Sequence, residues 1–253
     1  MDKKKTKAVV CLSGGMDSLC ALAIAIEDHD EVILLHVNYG QRTEAKELET
    51  FKAIGRWYNI PEDRMIVVET NIFKIIGSSC LTDETIEVPE NKLGGSEIPV
   101  SYVPFRNGNI LSMAVALAEA KEAEAVYTGF VEQDSSGYPD CTEIFVKSFN
   151  EVVKRGTLPK TKIDIICPCI LLMKNDVVRF SIQLKAPLHL SWSCYQNEEK
   201  ACGICDSCAL RINGFMKEGY IDPIPYKVAV NWKNCKPYTA QEVKSDHGDK
   251  QPN

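Results

Sequence analysis

Short apolar runs alternate with helical patterns through the first two thirds of the chain, and this alternation constrains the fold more than any other feature. Apolar, β-rich runs predict strands at 7–12, 31–37, 64–68, 125–128 and 162–166. Apolar side chains at helical spacing predict helices at 17–27, 43–58, 107–123, 142–154 and 174–184. Such alternation implies an α/β fold, a parallel sheet with helices on both faces. Ligands of these sheets bind beyond the carboxyl ends of the strands, so the loops that follow the strands are candidate site loops.

The pattern changes in three places, and these changes define the predicted units. Residues 78–104 are aperiodic and rich in Gly, Pro and Thr, which predicts a long loop that acts as a lid on the substrate side. From about residue 187 the periodicity fades and cysteines become frequent. We predict an α/β nucleotide-binding domain over 1–186, a small cysteine-rich subdomain over 187–226 and a tail over 227–253. Residues 233–253 are polar and are expected to be loose.

A glycine-rich segment, Ser13-Gly14-Gly15-Met16-Asp17-Ser18, joins the first predicted strand to the first helix. Two glycines let backbone N–H groups turn toward an anion, and the start of the helix adds partial positive charge. The serine hydroxyls can donate to phosphate oxygens, and the Asp17 carboxylate can hold Mg²⁺. The segment is neither GxxxxGK[ST] nor GxGxxG, which disfavours γ-phosphoryl transfer and a dinucleotide site. The predicted nucleotide contacts are Leu12, Ser13, Gly14, Gly15, Asp17 and Ser18.

Charge and hydropathy indicate the cellular location of the protein. The net charge of -6 gives no general attraction for nucleic acid. The longest apolar stretches, such as 21–26 and 32–37, are too short to span a bilayer, and the basic N-terminus is not followed by a signal-peptide pattern. We therefore expect a cytoplasmic, reducing location with no membrane binding.

Four of the eleven cysteines cluster late in the chain as Cys194-x7-Cys202-x2-Cys205-x2-Cys208. In a reducing compartment, clustered cysteines hold a metal more often than they form disulfides. Four thiolates at this spacing predict a structural zinc site, and an iron–sulfur cluster is the competing interpretation. The other cysteines are expected to be small buried hydrophobes: Cys11, Cys20, Cys80, Cys141, Cys167, Cys169 and Cys235.

The segment SGGMDS in its strand–loop–helix context resembles the PP-loop of ATP pyrophosphatases, which implies cleavage of ATP to AMP and pyrophosphate. Further motifs occur in a fixed order: Tyr39-Gly40-Gln41-Arg42, Val103-Pro104 with Arg106-Asn107, Ser136-Gly137-Tyr138-Pro139-Asp140-Cys141, and Ser191-Trp192-Ser193-Cys194-Tyr195 before the CGICDSCALR segment. This ordered set is similar to the 7-cyano-7-deazaguanine synthase (QueC) family. The resemblance implies conversion of 7-carboxy-7-deazaguanine and ammonia to the nitrile with ATP. It also implies Mg²⁺, structural zinc and a homodimer.

The resemblance assigns roles to single residues. Asp17, Arg106 and Lys174 are the expected catalytic residues, with Asp17 as the magnesium ligand and Lys174 beside developing phosphate charge. Arg42 and Arg106 are candidate binders of phosphate or carboxylate, since a guanidinium matches both anions. Asp134 and Asp140 could accept hydrogen bonds from the guanine-like edge, and Tyr138 could stack on its ring. The expected substrate-binding set is Tyr39, Gln41, Arg42, Arg106, Asp134, Tyr138 and Asp140. The four histidines lie outside the motifs.

Phe105 departs from the family, which usually has glycine between the matching proline and arginine. A bulky side chain there could reshape the pocket or the lid and so change the amine that is used. This departure and the unusual tail beyond Tyr226 suggest a second hypothesis, a QueC-like anti-phage enzyme that couples a deazaguanine to an amine of a protein acceptor. Two further hypotheses stay open at this point: a tRNA-thiolating enzyme with an iron–sulfur cluster, and a non-catalytic nucleotide sensor stabilised by zinc.

Overall fold

A five-stranded parallel sheet forms the centre of the protein in the computed structural model, which describes residues 5–90, 98–132 and 137–239. The strands are β1 (Lys7–Cys11), β2 (Glu31–Asn38), β3 (Met65–Glu69), β4 (Ala125–Tyr127) and β5 (Asp164–Ile166). Their order across the sheet is β3-β2-β1-β4-β5, and every neighbouring pair is parallel. The α/β class and each predicted strand are confirmed.

Helices follow the strands in alternation. They are α1 (Met16–Asp28), α2 (Glu44–Trp57), α3 (Ile72–Ile76), α4 (Arg106–Ala120), α5 (Glu143–Gly156), α6 (Lys174–Gln183) and α7 (Asp206–Lys217). The sequence patterns predicted α1, α2, α4, α5 and α6 but missed α3 and α7. Within the described ranges, none of these helices combines the length and the apolar character needed to cross a bilayer.

Alternate side chains of β1 enter two separate hydrophobic cores, one on each face of the sheet. Ala8 and Val10 pack in a core that includes residues of α1, α2 and α6. Val9 packs in a second core that includes Phe73 of α3 and residues of α4 and α5. Helices therefore cover both faces, as a sheet of parallel strands requires.

The direction of strand order reverses at β1, and this reversal determines where a ligand-binding crevice opens. The chain moves from β1 to β2 on one side and later returns to β4 on the other side. In such sheets a crevice opens where the order reverses, outside the carboxyl ends of the strands. The glycine-rich loop follows β1 and so lies at this point.

The C-terminal region folds back on the α/β body. A short parallel pair, β6 (Tyr220–Ile221) and β7 (Lys236–Pro237), follows α7. The hydroxyl of Tyr238 donates to the carbonyl of Ala186 at 2.9 Å, and its ring packs against the first core. The expectation of a loose tail from residue 233 is therefore wrong for 233–239, and 240–253 lie outside the described residues. The unit boundaries at 186/187 and 226/227 stay predictions.

The predicted lid is fastened to the body over its described part. Arg42 holds the carbonyls of three residues between 80 and 86, and Glu90 forms an antiparallel bridge with Cys205. Cys80 and Leu81 are buried in the second core. Residues 91–97 of this segment lie outside the described ranges.

Candidate active site

A cavity of about 280 Å³ opens at the carboxyl ends of β1, β2 and β4. The predicted site residues that line it are Leu12, Ser13, Gly15, Asp17, Ser18, Tyr39, Gln41, Arg42, Arg106, Tyr138, Lys174 and Cys194. Gly14, Asp140 and the other three cysteines of the cluster do not line it. Asp134 lies outside the described residues. The loops after three strands thus meet at one cavity, as the parallel-sheet prediction expects.

The glycine-rich loop is held in shape by its own serines. The Ser13 hydroxyl accepts from the N–H of Gly15 at 3.2 Å and lies 3.1 Å from the Ser18 hydroxyl, which donates to the carbonyl of Gly15 at 3.0 Å. Gly14 has φ +92°, and a Cβ there would lie 2.9 Å from a methyl group of Thr50. Because α1 begins at Met16, the loop presents a helix N-terminus to the cavity, which suits phosphate.

Lys174 makes a two-pronged ion pair with Asp17. Its Nζ lies 2.7 Å and 2.8 Å from the two carboxylate oxygens. The side chain of Asp17 is 28% exposed and that of Lys174 is 11% exposed, and both line the cavity, so the pair is largely buried in the cavity wall. The predicted metal ligand and the predicted phosphate-binding lysine are therefore direct neighbours.

Gly129, which sequence analysis missed, lets the loop after β4 approach this pair. A Cβ on Gly129 would lie 2.4 Å from the backbone of Asp17 and Ser18, which no other residue type could accommodate. Its position directly after a buried strand was the available signal.

Arg106 begins α4 and extends along the cavity wall. Its guanidinium donates to the hydroxyl of Tyr39 at 2.9 Å and lies over the Tyr39 ring at 5.5 Å. Burial raises the pKa of Tyr39 to about 12, so that hydroxyl remains neutral and accepts the hydrogen bond. Within the described residues Arg106 has no carboxylate partner within 4.0 Å, which leaves its charge available to an anionic ligand.

Asp140 supports the start of α4 instead of facing the cavity. One carboxylate oxygen accepts from the N–H of Asn107 at 2.9 Å, and the other accepts from its side-chain amide at 3.2 Å. Burial raises the pKa of Asp140. The carboxylate is therefore occupied in holding the residue next to Arg106, and its predicted contact with a guanine-like edge stays a prediction. Tyr138, by contrast, lines the cavity and donates to the hydroxyl of Ser101 at 2.8 Å.

Arg42 donates to backbone carbonyls, whereas the sequence predicted that it binds an anion. Its Nε donates to the carbonyl of Cys80 at 2.6 Å, and a terminal nitrogen donates to the carbonyls of Asp83 and Ile86 at 3.0 Å and 2.7 Å. This geometry fastens residues 80–86 beside the cavity.

Glu47 lines the cavity and was missed by the sequence analysis. Its carboxylate accepts from the Thr43 hydroxyl at 2.9 Å and from the Gln41 side-chain amide at 3.0 Å. Burial raises the pKa of Glu47 to about 7, although these two hydrogen bonds and the charge of Arg106 act in the opposite direction. The available signal was an acidic residue in the first turn of the helix that follows the YGQR motif.

The four clustered cysteines converge on one point. Their sulfur atoms all lie within 4.8 Å of one another, and all four residues are buried. Backbone N–H groups point at the sulfurs, including that of Cys202 toward Cys194 at 3.3 Å and that of Cys205 toward Cys202 at 3.3 Å. Buried, convergent sulfurs that receive N–H donors fit a site for a metal ion bound by four thiolates.

This cluster is joined to the cavity through Trp192. The N–H of Trp192 donates to the carbonyl of Gly14 at 2.9 Å, and residues 192–195 line the cavity. The fully buried Arg211 supports the same segment, since it donates to the Ser191 hydroxyl at 2.9 Å and pairs with Asp222 at 2.6 Å. The cysteine-rich region therefore forms one wall of the site.

Comparison with known proteins identifies the family. The sequence profile described as "Queuosine biosynthesis protein QueC" matches residues 7–219. The chain belongs to the QueC family. A 7-cyano-7-deazaguanine synthase of Nautilia profundicola is 52% identical over 221 residues, which cover 87% of this chain and 98% of that protein. The enzyme of the same name from Chlorobaculum tepidum is 50% identical over 226 residues, 89% of this chain and 99% of that protein.

The likeness to solved structures is weaker. This QueC family protein superposes on a 4-thiouridine synthetase–RNA complex with bound ATP at a TM-score of 0.46 and 19% sequence identity. The match covers 71% of this chain and 40% of that chain, a superposition too partial to support a functional inference.

Phe105, the residue that departs from the family pattern, does not line the cavity of this QueC family protein. The residue is 53% exposed, and its ring packs edge-on against Phe145 of α5 with centroids 5.9 Å apart. Its backbone has φ +51°, a left-handed conformation that glycine adopts without strain. Phe105 does not line the described cavity, so the expectation that it reshapes the pocket is not supported.

Two cysteines outside the cluster, Cys11 and Cys141, line the cavity. Burial raises the pKa of both thiols to about 12, so they are neutral near pH 7. Cys20, Cys80, Cys141 and Cys169 are buried as predicted, whereas Cys11, Cys167 and Cys235 are partly exposed.

Proposed function

We propose that this QueC family protein uses ATP to convert 7-carboxy-7-deazaguanine and ammonia into 7-cyano-7-deazaguanine. One observation carries the proposal: the glycine-rich loop with Asp17 and the guanidinium of Arg106 open into the same cavity. A nucleotide and an anionic substrate can then lie side by side, as an adenylating enzyme requires. The name of the relatives, 7-cyano-7-deazaguanine synthase, supports this choice of product.

The chemistry explains why a nucleotide is needed. A carboxylate is a poor electrophile, and transfer of AMP to its oxygen creates a good leaving group while pyrophosphate departs. Ammonia then forms the amide, and a second adenylation of the amide oxygen permits dehydration to the nitrile. Both activations place charge on the same phosphate, so one preorganised electrostatic site serves them both.

The proposed roles follow the geometry. The loop from Leu12 to Ser18 holds the phosphates, and Lys174 stabilises charge that develops on them. Arg106 binds the substrate carboxylate, because its guanidinium reaches the cavity while Tyr39 fixes its orientation. Tyr138 offers a ring face to the deazaguanine. Arg42, which the sequence placed among the ligand-binding residues, positions the 80–86 segment. Gln41 acts through Glu47, and Asp134 and Asp140 stay predicted substrate contacts.

Two metals belong to the proposal. Cys194, Cys202, Cys205 and Cys208 would hold zinc in a structural role, since four thiolates leave no position for substrate. The carboxylate of Asp17 would hold Mg²⁺, which oxygen ligands suit and which would neutralise phosphate charge. The cytoplasmic location and the homodimer remain part of the same proposal.

The competing functions gain no specific support. The anti-phage coupling enzyme was suggested by Phe105, which does not line the cavity, and by the tail, whose described part packs on the body. A tRNA-thiolating enzyme would need a basic surface for RNA, whereas the net charge is -6.

The test incubates the purified protein with ATP, Mg²⁺, ammonium and 7-carboxy-7-deazaguanine and follows AMP and the nitrile by mass spectrometry. We expect AMP only when the deazaguanine is present, with two AMP formed for each nitrile. The Asp17→Asn variant serves as the inactive control. AMP formation that does not depend on the deazaguanine would contradict the proposal.

A further inference from the structure

Glu47 differs from the other ionisable groups of the cavity. Among the described lining residues, carboxylates come from Asp17 and Glu47, and no histidine is present. Asp17 is paired with Lys174 at 2.7 Å. The Cys141 thiol and the Tyr39 phenol both have pKa values near 12, so neither exchanges a proton readily at neutral pH. Glu47, with its pKa of about 7, is balanced between its two protonation states there.

The backbone of Glu47 packs on the phosphate loop, and its carboxylate lies within the electrostatic influence of Arg106. A Cβ on Gly14 would lie 3.2 Å from the carbonyl oxygen of Glu47, so α2 packs directly on the loop. The positive charge of Arg106 is close enough to act on the Glu47 carboxylate. Under the proposed function, the substrate carboxyl is activated in the cavity that Glu47 lines.

Hydrogen bonds from two side chains fix the orientation of the Glu47 carboxylate. The side-chain carbonyl of Gln41 accepts from the N–H of Tyr39 at 2.9 Å, so its amide nitrogen must donate to Glu47. Thr43 donates to the other oxygen at 2.9 Å. Each carboxylate oxygen retains a second lone pair that can accept a proton from a ligand in the cavity.

We propose that Glu47 is the base that accepts a proton from the nitrogen nucleophile, an inference that rests on the proposed function. Ammonium has no lone pair and cannot attack until it loses a proton. The Glu47 carboxylate takes that proton and becomes a carboxylic acid, and the freed ammonia forms the C–N bond. The C–O bond to AMP breaks, its electron pair leaves with AMP, and the second excess proton on nitrogen passes to the departing phosphate. Glu47 then returns its proton to water.

The test separates adenylation from nitrogen transfer in the full-length protein. Carboxylate-dependent exchange of labelled pyrophosphate into ATP reports the first step, and amide plus nitrile formation from ammonium reports the second. We compare Glu47→Gln with Glu49→Gln, which changes an exposed carboxylate on the same helix. Glu47→Asp, which keeps a carboxylate but withdraws it, provides a second variant if the glutamine variant does not fold.

The expected result is that Glu47→Gln retains the exchange but forms product at least about 100-fold more slowly at neutral pH. Its rate should recover as pH rises and free ammonia increases, while Glu49→Gln behaves as wild type. Glu47→Asp should give an intermediate rate. Equal rates and equal pH profiles in Glu47→Gln and Glu49→Gln would overturn the assignment. Loss of the exchange itself, or only a raised KM for the deazaguanine, would also overturn it. Absence of exchange in the wild-type protein would instead reject the proposed function.

Discussion

The ammonium of Lys174 lies 2.7 Å and 2.8 Å from the two carboxylate oxygens of Asp17, although 157 residues separate them in sequence. The contact joins the start of α6 to the first turn of α1, directly beside the glycine-rich loop. Under the proposed function, this cation and this anion would exchange partners when a nucleotide and Mg²⁺ bind. Lys174 can turn to phosphate, because an ammonium group pairs with charged oxygens. Asp17 can turn to the metal, because a carboxylate suits Mg²⁺.

Replacement of Lys174 by methionine should slow pyrophosphate release without unfolding the protein. The methionine retains most of the side-chain volume but removes the charge, and loss of one preorganised electrostatic contact costs about 10²- to 10³-fold in rate. Steady-state kinetics with ATP as the varied substrate measure the effect. Lys147→Met, on an exposed face of α5, is the control. If both variants had the same kcat, Lys174 would serve only to anchor α6.

Replacement of Arg42 by lysine tests whether this arginine fastens a loop or binds an anion. Lysine keeps the charge but is a compact point donor that cannot reproduce the arginine fork. The carbonyls of Cys80, Asp83 and Ile86 would lose their donors, at a cost of about 1–3 kcal/mol. Amide hydrogen exchange in 80–86 should become about 5- to 150-fold faster. Unchanged exchange together with a raised KM for ATP or deazaguanine would favour the anion-binding role.

The site loops were predictable because each motif is contiguous and follows a strand. Ser13–Ser18 needs only local geometry to present its N–H groups, and the spacing of Cys202, Cys205 and Cys208 determines that their sulfurs converge. The alternating pattern then predicts that these loops meet at one edge of the sheet.

The partners of single side chains were not predictable in the same way. Arg42 donates to carbonyls about 40 residues later, and Asp140 accepts from the start of a helix 33 residues earlier. Such pairs depend on how distant segments pack, which a motif does not specify. Helix α7 was missed because its first turn, with Cys208, belongs to the metal-binding motif, which hid the helical spacing of the residues that follow. Glu47 was missed because its burial arises from tertiary packing.

The stability of the protein should depend on pH through Glu47. Its pKa is about 7 in the folded protein against an ordinary value of 4.5, so the folded state holds the proton more tightly. The contribution of Glu47 to the free energy of unfolding is therefore full below pH 4.5, and it declines as pH rises toward 7, so the protein becomes less stable over this range. Glu47→Gln should gain about 1–3 kcal/mol relative to wild type between pH 5 and pH 8, measured by denaturant unfolding. A difference that does not change with pH would show that Glu47 has an ordinary pKa.

Phe105 should be replaceable by glycine without loss of activity. Glycine removes the strain of the left-handed backbone at this position, which stabilises the folded state by about 1–2 kcal/mol. Loss of the ring contact with Phe145 destabilises it by about 0.5–1.5 kcal/mol. The two effects nearly cancel in Phe105→Gly, whereas Phe105→Ala loses the ring and keeps the strain. Thermal unfolding should place the alanine variant about 1 kcal/mol below the glycine variant, with KM unchanged in both. A changed KM for the deazaguanine would mean that this ring affects the cavity.

If the four-cysteine cluster holds zinc as proposed, replacement of Cys205 by serine should abolish metal binding and lower the melting temperature, because the binding energy of a structural metal contributes to folding energy. Cys235→Ser is the matched control, since Cys235 is a partly exposed cysteine outside the cluster. The wall of the cavity should respond as well: Trp192 donates to the carbonyl of Gly14, so loss of the metal should raise the KM for ATP. Metal analysis, thermal unfolding and ATP kinetics on both variants check the three effects. Full zinc content in Cys205→Ser would refute the four-thiolate site. Iron and visible absorbance in the wild-type protein would show that the cysteines hold an iron–sulfur cluster instead of zinc.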